Sequence, residues 1–315
     1  MTPLALVHDP CFKDHRTGPG HPESPDRLDA VAEALAAAGV LESALPIAPE
    51  PIDTGLLHLR HRPEYVRRFE QACREGAPLI DVPDCTISRE SYRTALLAAG
   101  ATVAATAAVV TGRARRAFCA VRPPGHHAES DRAMGFCMFN NIALAALAAR
   151  LRYGVERVLI FDFDVHHGNG TQNAFYDDPA VCYISMHGHP HYLYPGTGLP
   201  EETGRGEAAG TTLNVPLLPG AGDEAYRAAL TEQVLPAIRS FEPQLILLSA
   251  GFDAHRDDPL GNLALTDAMF VEVLECILEI ARRCADGRVV SVLEGGYNLD
   301  VLRRCVAAHV ELLAG

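Results

Sequence analysis

Four clusters of residues that are costly to bury stand out along the sequence. RPPGHHA carries His126 and His127. DFDVHHGNG carries Asp162, Asp164, His166 and His167. AGFDAH carries Asp253 and His255, and EGGYN carries Glu294 and Tyr297. Carboxylates and imidazoles are ligands for divalent metals and groups that move protons. In an extended segment residues two apart face the same way, so Asp164 and His166 can point toward one ion, with Asp162 one step back on that face. Two carboxylates and one imidazole make a three-ligand set for a catalytic Zn²⁺ or Fe²⁺ that keeps open positions, and Asp253 is a candidate third ligand. The plainer reading is that a strand-end Asp caps the next helix, and for Asp253 alone that reading is the better one. For DFDVHH it is weaker, because these residues end a run that otherwise reads as fully buried, where an unpaired carboxylate is expensive.

His126 and His127 follow PPG, a stiff turn. Adjacent side chains on extended backbone point opposite ways, so one can face a substrate while the other braces the site, a pattern suited to acid–base work. Tyr297 follows two glycines, on backbone expected to be able to swing, and a phenol can donate a hydrogen bond to a developing oxyanion. Standing alone, it would read as a half-buried turn residue.

Positioning these clusters falls to short apolar runs that alternate with longer Ala/Leu/Arg/Glu stretches. Strands are predicted at 4–8, 117–121, 158–162, 181–186, 213–216, 245–249 and 289–293. Helices are predicted at 27–38, 89–110, 140–151, 224–240, 266–284 and 300–313. Continuous apolar strands separated by helices imply an α/β fold with a largely parallel central sheet flanked by helices. All four clusters lie just past the C-terminal end of a predicted strand, the edge where open α/β sheets bind ligands. No internal repeat and no domain boundary is evident, so 1–315 reads as one domain. Residues 188–210 hold six Gly and three Pro, which suggests a long ordered loop. The basic cluster Arg113–Arg116 reads as a solvated helix end, with cations near the negative pole of the dipole.

Composition narrows the class. The 315 residues carry 27 basic and 40 acidic side chains, a formal charge of −13, with 48% hydrophobic residues and a mean hydropathy of +0.04. This is ordinary globular composition. The acidic balance argues against a nucleic-acid partner, which needs a basic footprint, and suits a cationic one. MTPLALVHDP lacks the basic region of a signal peptide. The stretch Thr94–Thr111 is the most membrane-like, but its Ala and Thr favour a buried helix, so no membrane partner is expected. Nine scattered cysteines without a CxxC pair read as free thiols of a cytoplasmic protein.

Taken together and in order, the motifs resemble the histone deacetylase superfamily, the arginase–deacetylase fold. The matching segments are HPESPDRL from His21, PDC at Pro83, RPPGHHA at Arg122, GFCMFNN at Gly135, DFDVHHGNGT at Asp162, SMH at Ser185, YPGTG at Tyr194, GFD at Gly251, DPLG at Asp258 and LEGGYNL at Leu293. LEGGY and the Asn of HHGNG resemble the class II and bacterial deacetylase-like amidohydrolase branch. The resemblance implies that Asp164, His166 and Asp253 bind Zn²⁺ (Fe²⁺ being the alternative). It implies that His127 is the general base and later the acid, with His126 its electrostatic partner, braced by Asp162. Tyr297 would polarise the amide carbonyl. Asn169 stands where class I members carry an Asp. Gly135, Phe136 and Tyr194 would line a narrow tunnel, the second wall being more often Phe. Leu260 would lie at the rim, Asp84 would grip the substrate backbone there, and Arg27 would line an inner pocket. A structural K⁺ would sit on Asp162, Asp164, His166, Ser185 and Met186. The implied substrate is an acylated lysine peptide or an acylated small amine. A homo-oligomer stays open.

Rival readings differ by recognisable features. Arginase-like chemistry needs a second Asp two residues after the first, and Asp253 is followed by Ala254 and His255. Polyamine-selective eukaryotic relatives carry a Glu in the DP segment, where this chain has Leu260. An inactive acyl-lysine binder would be expected to have lost a ligand or the tyrosine.

Overall fold

The runs Val158–Asp162 and Leu245–Ala250 are buried at every position, which requires cover on both faces of their sheet. In the computed structural model, which describes residues 3–315, that cover is helical. In chain order the elements are β1 (Ala5–Val7), α1 (Asp26–Ala37), β2 (Leu45–Pro46), α2 (Thr54–Arg60), α3 (Pro63–Glu75), α4 (Ser91–Val110), β3 (Arg116–Cys119), α5 (Asn141–Tyr153) and β4 (Val158–Asp162). Then come α6 (Asn169–Phe175), β5 (Val181–Gly188), β6 (Thr212–Leu217), α7 (Asp223–Ala229), α8 (Leu235–Phe241), β7 (Leu245–Ala250), α9 (Asp267–Cys284), β8 (Val289–Leu293) and α10 (Leu299–Ala314). The expected 1–315 span includes Met1 and Thr2, which lie outside the described residues.

The eight strands form one sheet in the order β2-β1-β3-β8-β7-β4-β5-β6, and every neighbouring pair is parallel. All seven predicted strands and all six predicted helices are present. The register aligns one row across the sheet: Val7, Cys119, Val292, Ser249, Asp162, Ser185 and Asn214 are successive neighbours. The four chemical clusters leave the sheet just beyond that row.

Three local features depart from or refine the sequence reading. Helix 224–240 is one run interrupted by a π turn at Leu230–Val234, where the Leu235 N–H bonds Leu230 O; Pro236 follows and supplies no N–H. The membrane-like stretch is α4, long and apolar enough to span a membrane yet packed inside the molecule. Gly100 lets the Glu50 carbonyl approach α4 closely, since a Cβ there would occupy the same space. Arg116 does not serve the end of α4. It starts β3, is buried, and donates to Leu312 O (3.0 Å) and Leu313 O (3.2 Å), two carbonyls left unpaired in the last turn of α10. All nine cysteines are free, and burial pushes the Cys119 and Cys182 thiols up to about 12.

His309 on α10 lies in the core among Phe118, Phe163 and Phe252, its Nε2 2.8 Å from Ser291 Oγ. Burial pushes its pKa down to about 3. Above the ordinary value of 6.5 neither folded nor unfolded chain holds the proton, so there is no cost. As pH falls through 6.5 the unfolded chain binds a proton that the folded chain refuses. Stability is then lost at about 1.4 kcal/mol per pH unit, down to the folded value. Between pH 7.5 and 5.5 the parent should therefore lose about 1.4 kcal/mol more than His309→Gln, which keeps a partner for Ser291 but cannot titrate. Urea unfolding at the two pH values checks this. Equal losses would mean that His309 takes up its proton in place.

Candidate active site

The turn after β4 brings Asp164 and His166 beside the end of β7, which delivers Asp253. His166 Nδ1 lies 3.1 Å from both Asp164 Oδ1 and Asp253 Oδ2. One nitrogen or oxygen from each of the three residues falls within 4.8 Å of the other two. The remaining carboxylate oxygens are fixed by backbone donors: Gly295 N to Asp164 Oδ2 (2.8 Å) and Val165 N to Asp253 Oδ1 (2.9 Å). Gly251 and Gly295 lie against these carboxylates, where a Cβ would displace them. Both carboxylates are buried. Burial first and the Asp164 charge second push the Asp253 pKa upward. Two buried carboxylates closed around one imidazole form a group that could hold a metal ion. The oxygen and nitrogen donors suit Zn²⁺ or Fe²⁺. A second group, His126, Cys137 and Glu294, also converges. Its members are already committed: Glu294 Oε2 accepts from Gly125 N and His126 N, and His126 Nδ1 is held by Asp162.

Asp162 lies outside that three-residue group. Its Oδ2 lies 3.0 Å from His126 Nδ1 and accepts from the Tyr183 hydroxyl at 3.1 Å. Burial opposes a charge on His126, but Asp162, Asp164 and Glu294 outweigh it and push its pKa up to about 10. His127, whose ring centroid is 4.1 Å from that of His126, behaves oppositely. Burial, then the charges of His126 and His166, hold its pKa well below 6.5, so it is neutral at pH 7. Its Nδ1 lies 2.8 Å from Asn169 Oδ1.

These groups open into a cleft of about 250 Å³ lined by Asp84, His127, Gly135, Phe136, His166, Leu193, Tyr194, Leu260 and Tyr297. Phe136 holds a positive φ of 66° right after Gly135 at 55°, a conformation that glycine adopts freely and a bulky residue rarely does. A Cβ on Gly135 would run into the His127 ring, so the glycine is what allows this approach. Phe136 meets Tyr297 edge-on at 5.9 Å, and Tyr194 meets His127 edge-on at 5.1 Å. Asp84 lines this cleft, and its Oδ1 is buried without a hydrogen-bond partner. Burial, then Asp253 and Asp164, hold the Tyr297 phenol far above its ordinary pKa, so it stays a donor.

The histone deacetylase domain matches residues 21–313. The chain belongs to the histone deacetylase family. Its relatives include the probable deacetylase of Archaeoglobus fulgidus, 42% identical over 297 residues, covering 94% of this chain and 81% of that protein. The histone deacetylase-like amidohydrolase of Pseudomonas aeruginosa is 42% identical over the same length, covering 94% and 77%. The crystal structure of the HDA15 HD domain aligns with a TM-score of 0.93 at 38% identity, covering 100% of this chain and 90% of that one. Membership in the histone deacetylase family makes amide hydrolysis of the deacetylase type the activity class.

Within this histone deacetylase fold, Arg27 is fully buried and lies behind Tyr297 rather than along the cleft. Its guanidinium sits 5.2 Å from the Tyr297 ring centre and donates to Gly296 O (2.7 Å) and Glu294 O. Ser185 and Met186 are buried on β5, with Ser185 beside Asp162 in register. The Tyr297 backbone does not swing freely: Asp258 Oδ2 accepts from Tyr297 N (2.7 Å) and Asn298 N (3.1 Å), while Oδ1 holds Leu260 N (3.0 Å). The 188–210 loop supplies Leu193 and Tyr194 to the cleft. It is tied down by His167 Nδ1 to Thr197 Oγ1 (2.8 Å), His187 Nε2 to Gly198 O (2.9 Å) and Glu202 Oε1 to Gly198 N (3.0 Å).

Sequence reasoning missed several residues of this deacetylase site. Glu23 has no role legible in HPESPDRL, and only its burial beside Arg27 and Arg122 makes it the counter-ion of both. Leu193 carried no signal, because one Leu in a loop has no period. Asp258 in DPLG carries a signal that could have found it, since Asp side chains commonly accept from backbone N–H groups two residues on in turns.

Proposed function

We propose that this chain is a metal-dependent amidohydrolase that removes acetyl or other short acyl groups from the side-chain amine of acyl-lysine or a similar acylated amine. The observation carrying this reading is that His166, through which the Asp164–His166–Asp253 cluster reaches the cleft, lines it together with His127, Tyr297 and the aromatic rings of Phe136 and Tyr194. Asp164, His166 and Asp253 would hold Zn²⁺, or Fe²⁺ as the alternative. A bound ion would supply Lewis acidity toward the amide carbonyl and toward water.

The chain's own residues do the rest. Phe136 and Tyr194 flank an extended aliphatic chain and exclude water from it. Asp84 accepts a backbone N–H at the rim. His127 Nε2 accepts the proton of the attacking water and returns it to the departing amine. Burial, aided by the charge of His126 that Asp162 braces, keeps His127 neutral. The Tyr297 hydroxyl donates to the carbonyl oxygen as negative charge develops there. By the same resemblance a structural K⁺ would be held by Asp162, Asp164, His166, Ser185 and Met186. Ser185 Oγ pairs with His187 Nδ1 at 2.8 Å.

A second reading, hydrolysis of acetylated polyamines, draws on the net charge of −13. Leu260 in the cleft lining opposes it, since an apolar side chain gives a second ammonium no partner. Turnover of a fluorogenic acetyl-lysine peptide beside N-acetylputrescine and acetylspermidine, with metal content assayed in parallel, tests both. Peptide turnover that disappears on chelation and returns with zinc is the expected result. Preference for the amines would move the reading to polyamines, and turnover that survives complete removal of metal would overturn it.

A further inference from the structure

We propose that Glu129 is a positioning residue that sets the tautomer of His127 through Asn169. The proposal rests on the reading of His127 as the proton carrier. Asn169, at the start of α6, has its carboxamide wedged between the two. Its Oδ1 lies 2.8 Å from His127 Nδ1, and its Nδ2 lies 2.6 Å from Glu129 Oε1.

The two ends of a carboxamide have nearly the same shape, so its neighbours decide which way round it lies. An ionised Glu129 can only accept, so it draws Nδ2 toward itself. Two weaker acceptors agree, His127 O at 3.3 Å and Met134 Sδ at 3.4 Å. Oδ1 is therefore left facing His127, and an amide oxygen cannot donate. The proton of neutral His127 must sit on Nδ1, which leaves the Nε2 lone pair free. This is the tautomer that can accept a proton in the cleft.

Glu129 is itself fixed as an acceptor. Asn173 Nδ2 donates to its Oε1 at 2.9 Å, and the buried Arg60 places Nη2 3.9 Å from Oε2. Arg60 also binds Ala128 O (3.0 Å) and Gly170 O (2.8 Å), carbonyls next in the chain to His127 and Asn169. The main chain at Glu129 is held separately: its N–H bonds Arg132 O (3.1 Å) and its carbonyl pairs with His61 Nδ1 (2.9 Å). Changing the carboxylate should therefore alter the relay before it alters the loop. Glu129 does not line the cleft.

Three variants separate this role from a structural one. Glu129→Gln keeps an oxygen acceptor. Glu129→Lys offers only donors, so the Asn169 amide should turn over, present Nδ2 to His127 Nδ1 and move the proton to Nε2. Adding Asn169→Asp to Glu129→Lys restores an acceptor at both oxygens and with it the Nδ1–H form. The tautomer is read in metal-free protein from ring ¹⁵N shifts of labelled histidine. In parallel, kcat and KM for the acetyl-lysine peptide are read in zinc-loaded protein.

The parent and Glu129→Gln are expected in the Nδ1–H form, with kcat within about fivefold of each other. Glu129→Lys is expected in the Nε2–H form, with kcat lower by about 10² or more, the range of a lost general base, and KM nearly unchanged. The double variant should recover both signatures. If Glu129→Lys does not fold, Glu129→Met removes the acceptor without adding charge and should give a mixture of tautomers. An unchanged Nδ1–H signature in these variants overturns the relay, as does failure of Asn169→Asp to restore it. A swapped tautomer with unchanged kcat upholds the relay and overturns instead the role given to His127.

Discussion

Tyr297→Phe is expected to lower kcat by about 10²–10³, the usual effect of removing one oxyanion donor. Several observations make this a clean deletion. The ring is held by an edge-on contact with Phe136 and by Arg27 over its face. The backbone is held by Asp258, which bonds Tyr297 N at 2.7 Å. None of these contacts uses the hydroxyl, so the phenylalanine ring should stay in place and only the donor should vanish. Because the phenol is far from ionising, no change in the net charge around Asp164 and Asp253 accompanies the substitution. Metal content should therefore remain at the parent level and KM should move little, which locates the loss in the transition state. Parent-like kcat in a metal-replete variant would remove Tyr297 from the mechanism.

A comparable effect on stability is expected at a residue that touches no substrate. Glu23 is fully buried, and its carboxylate meets two arginines. Arg122 binds both oxygens, with Nη2 2.7 Å from Oε2, and Arg27 Nη1 lies 3.0 Å from Oε1. Burial opposes ionisation of Glu23, but these two cations overcome it and keep the pKa below the ordinary range. Glu23→Gln preserves shape and removes the charge, leaving two guanidinium groups in the core with only neutral acceptors. Removing one partner of a buried ion pair costs on the order of 3–5 kcal/mol, because the other charge is left uncompensated. Denaturant unfolding reads this directly. Activity should fall as well, since Arg27 carries the constraint onward to Gly296 O, next to Tyr297. A midpoint within the error of the parent would mean that the main-chain carbonyls around the arginines suffice.

The strands were legible because a sheet covered on both faces forces unbroken apolar runs, and Val158–Asp162 or Leu245–Ala250 can hardly read as anything else. β2 was not, since two residues at a sheet edge carry no period. α3 was also missed. Its sequence PEYVRRFEQACRE is dominated by charge, and the buried stripe Tyr65, Phe69 and Cys73 appears only at four-residue spacing. α6 begins within a glycine-containing motif and is held by tertiary bonds such as Thr171 N to His126 O at 3.0 Å, which no local propensity reports. At the site, residue types and strand ends made Asp164, His166 and the His126–His127 pair candidates, whereas Asp253 and Tyr297 taken alone read as a helix cap and a turn residue and owed their roles to the resemblance. The connections among the supporting residues did not follow from type. Glu23, Glu129 and Asp258 act through geometry that exists only once distant segments have met.

The sheet order also imposes a schedule. β7 lies between β8 and β4, yet it is made long after β4 in the chain. A nascent chain that has emerged only through β6 holds Asp164 and His166 but neither Asp253 nor Tyr297. On the proposed reading, the three candidate ligands would be assembled only when β7 has entered its slot, and the full set of proposed groups only after β8 has closed beside it. Such long-range insertions are slow relative to local helix formation. An ion held by all three proposed ligands would thus be captured only as the molecule nears completion.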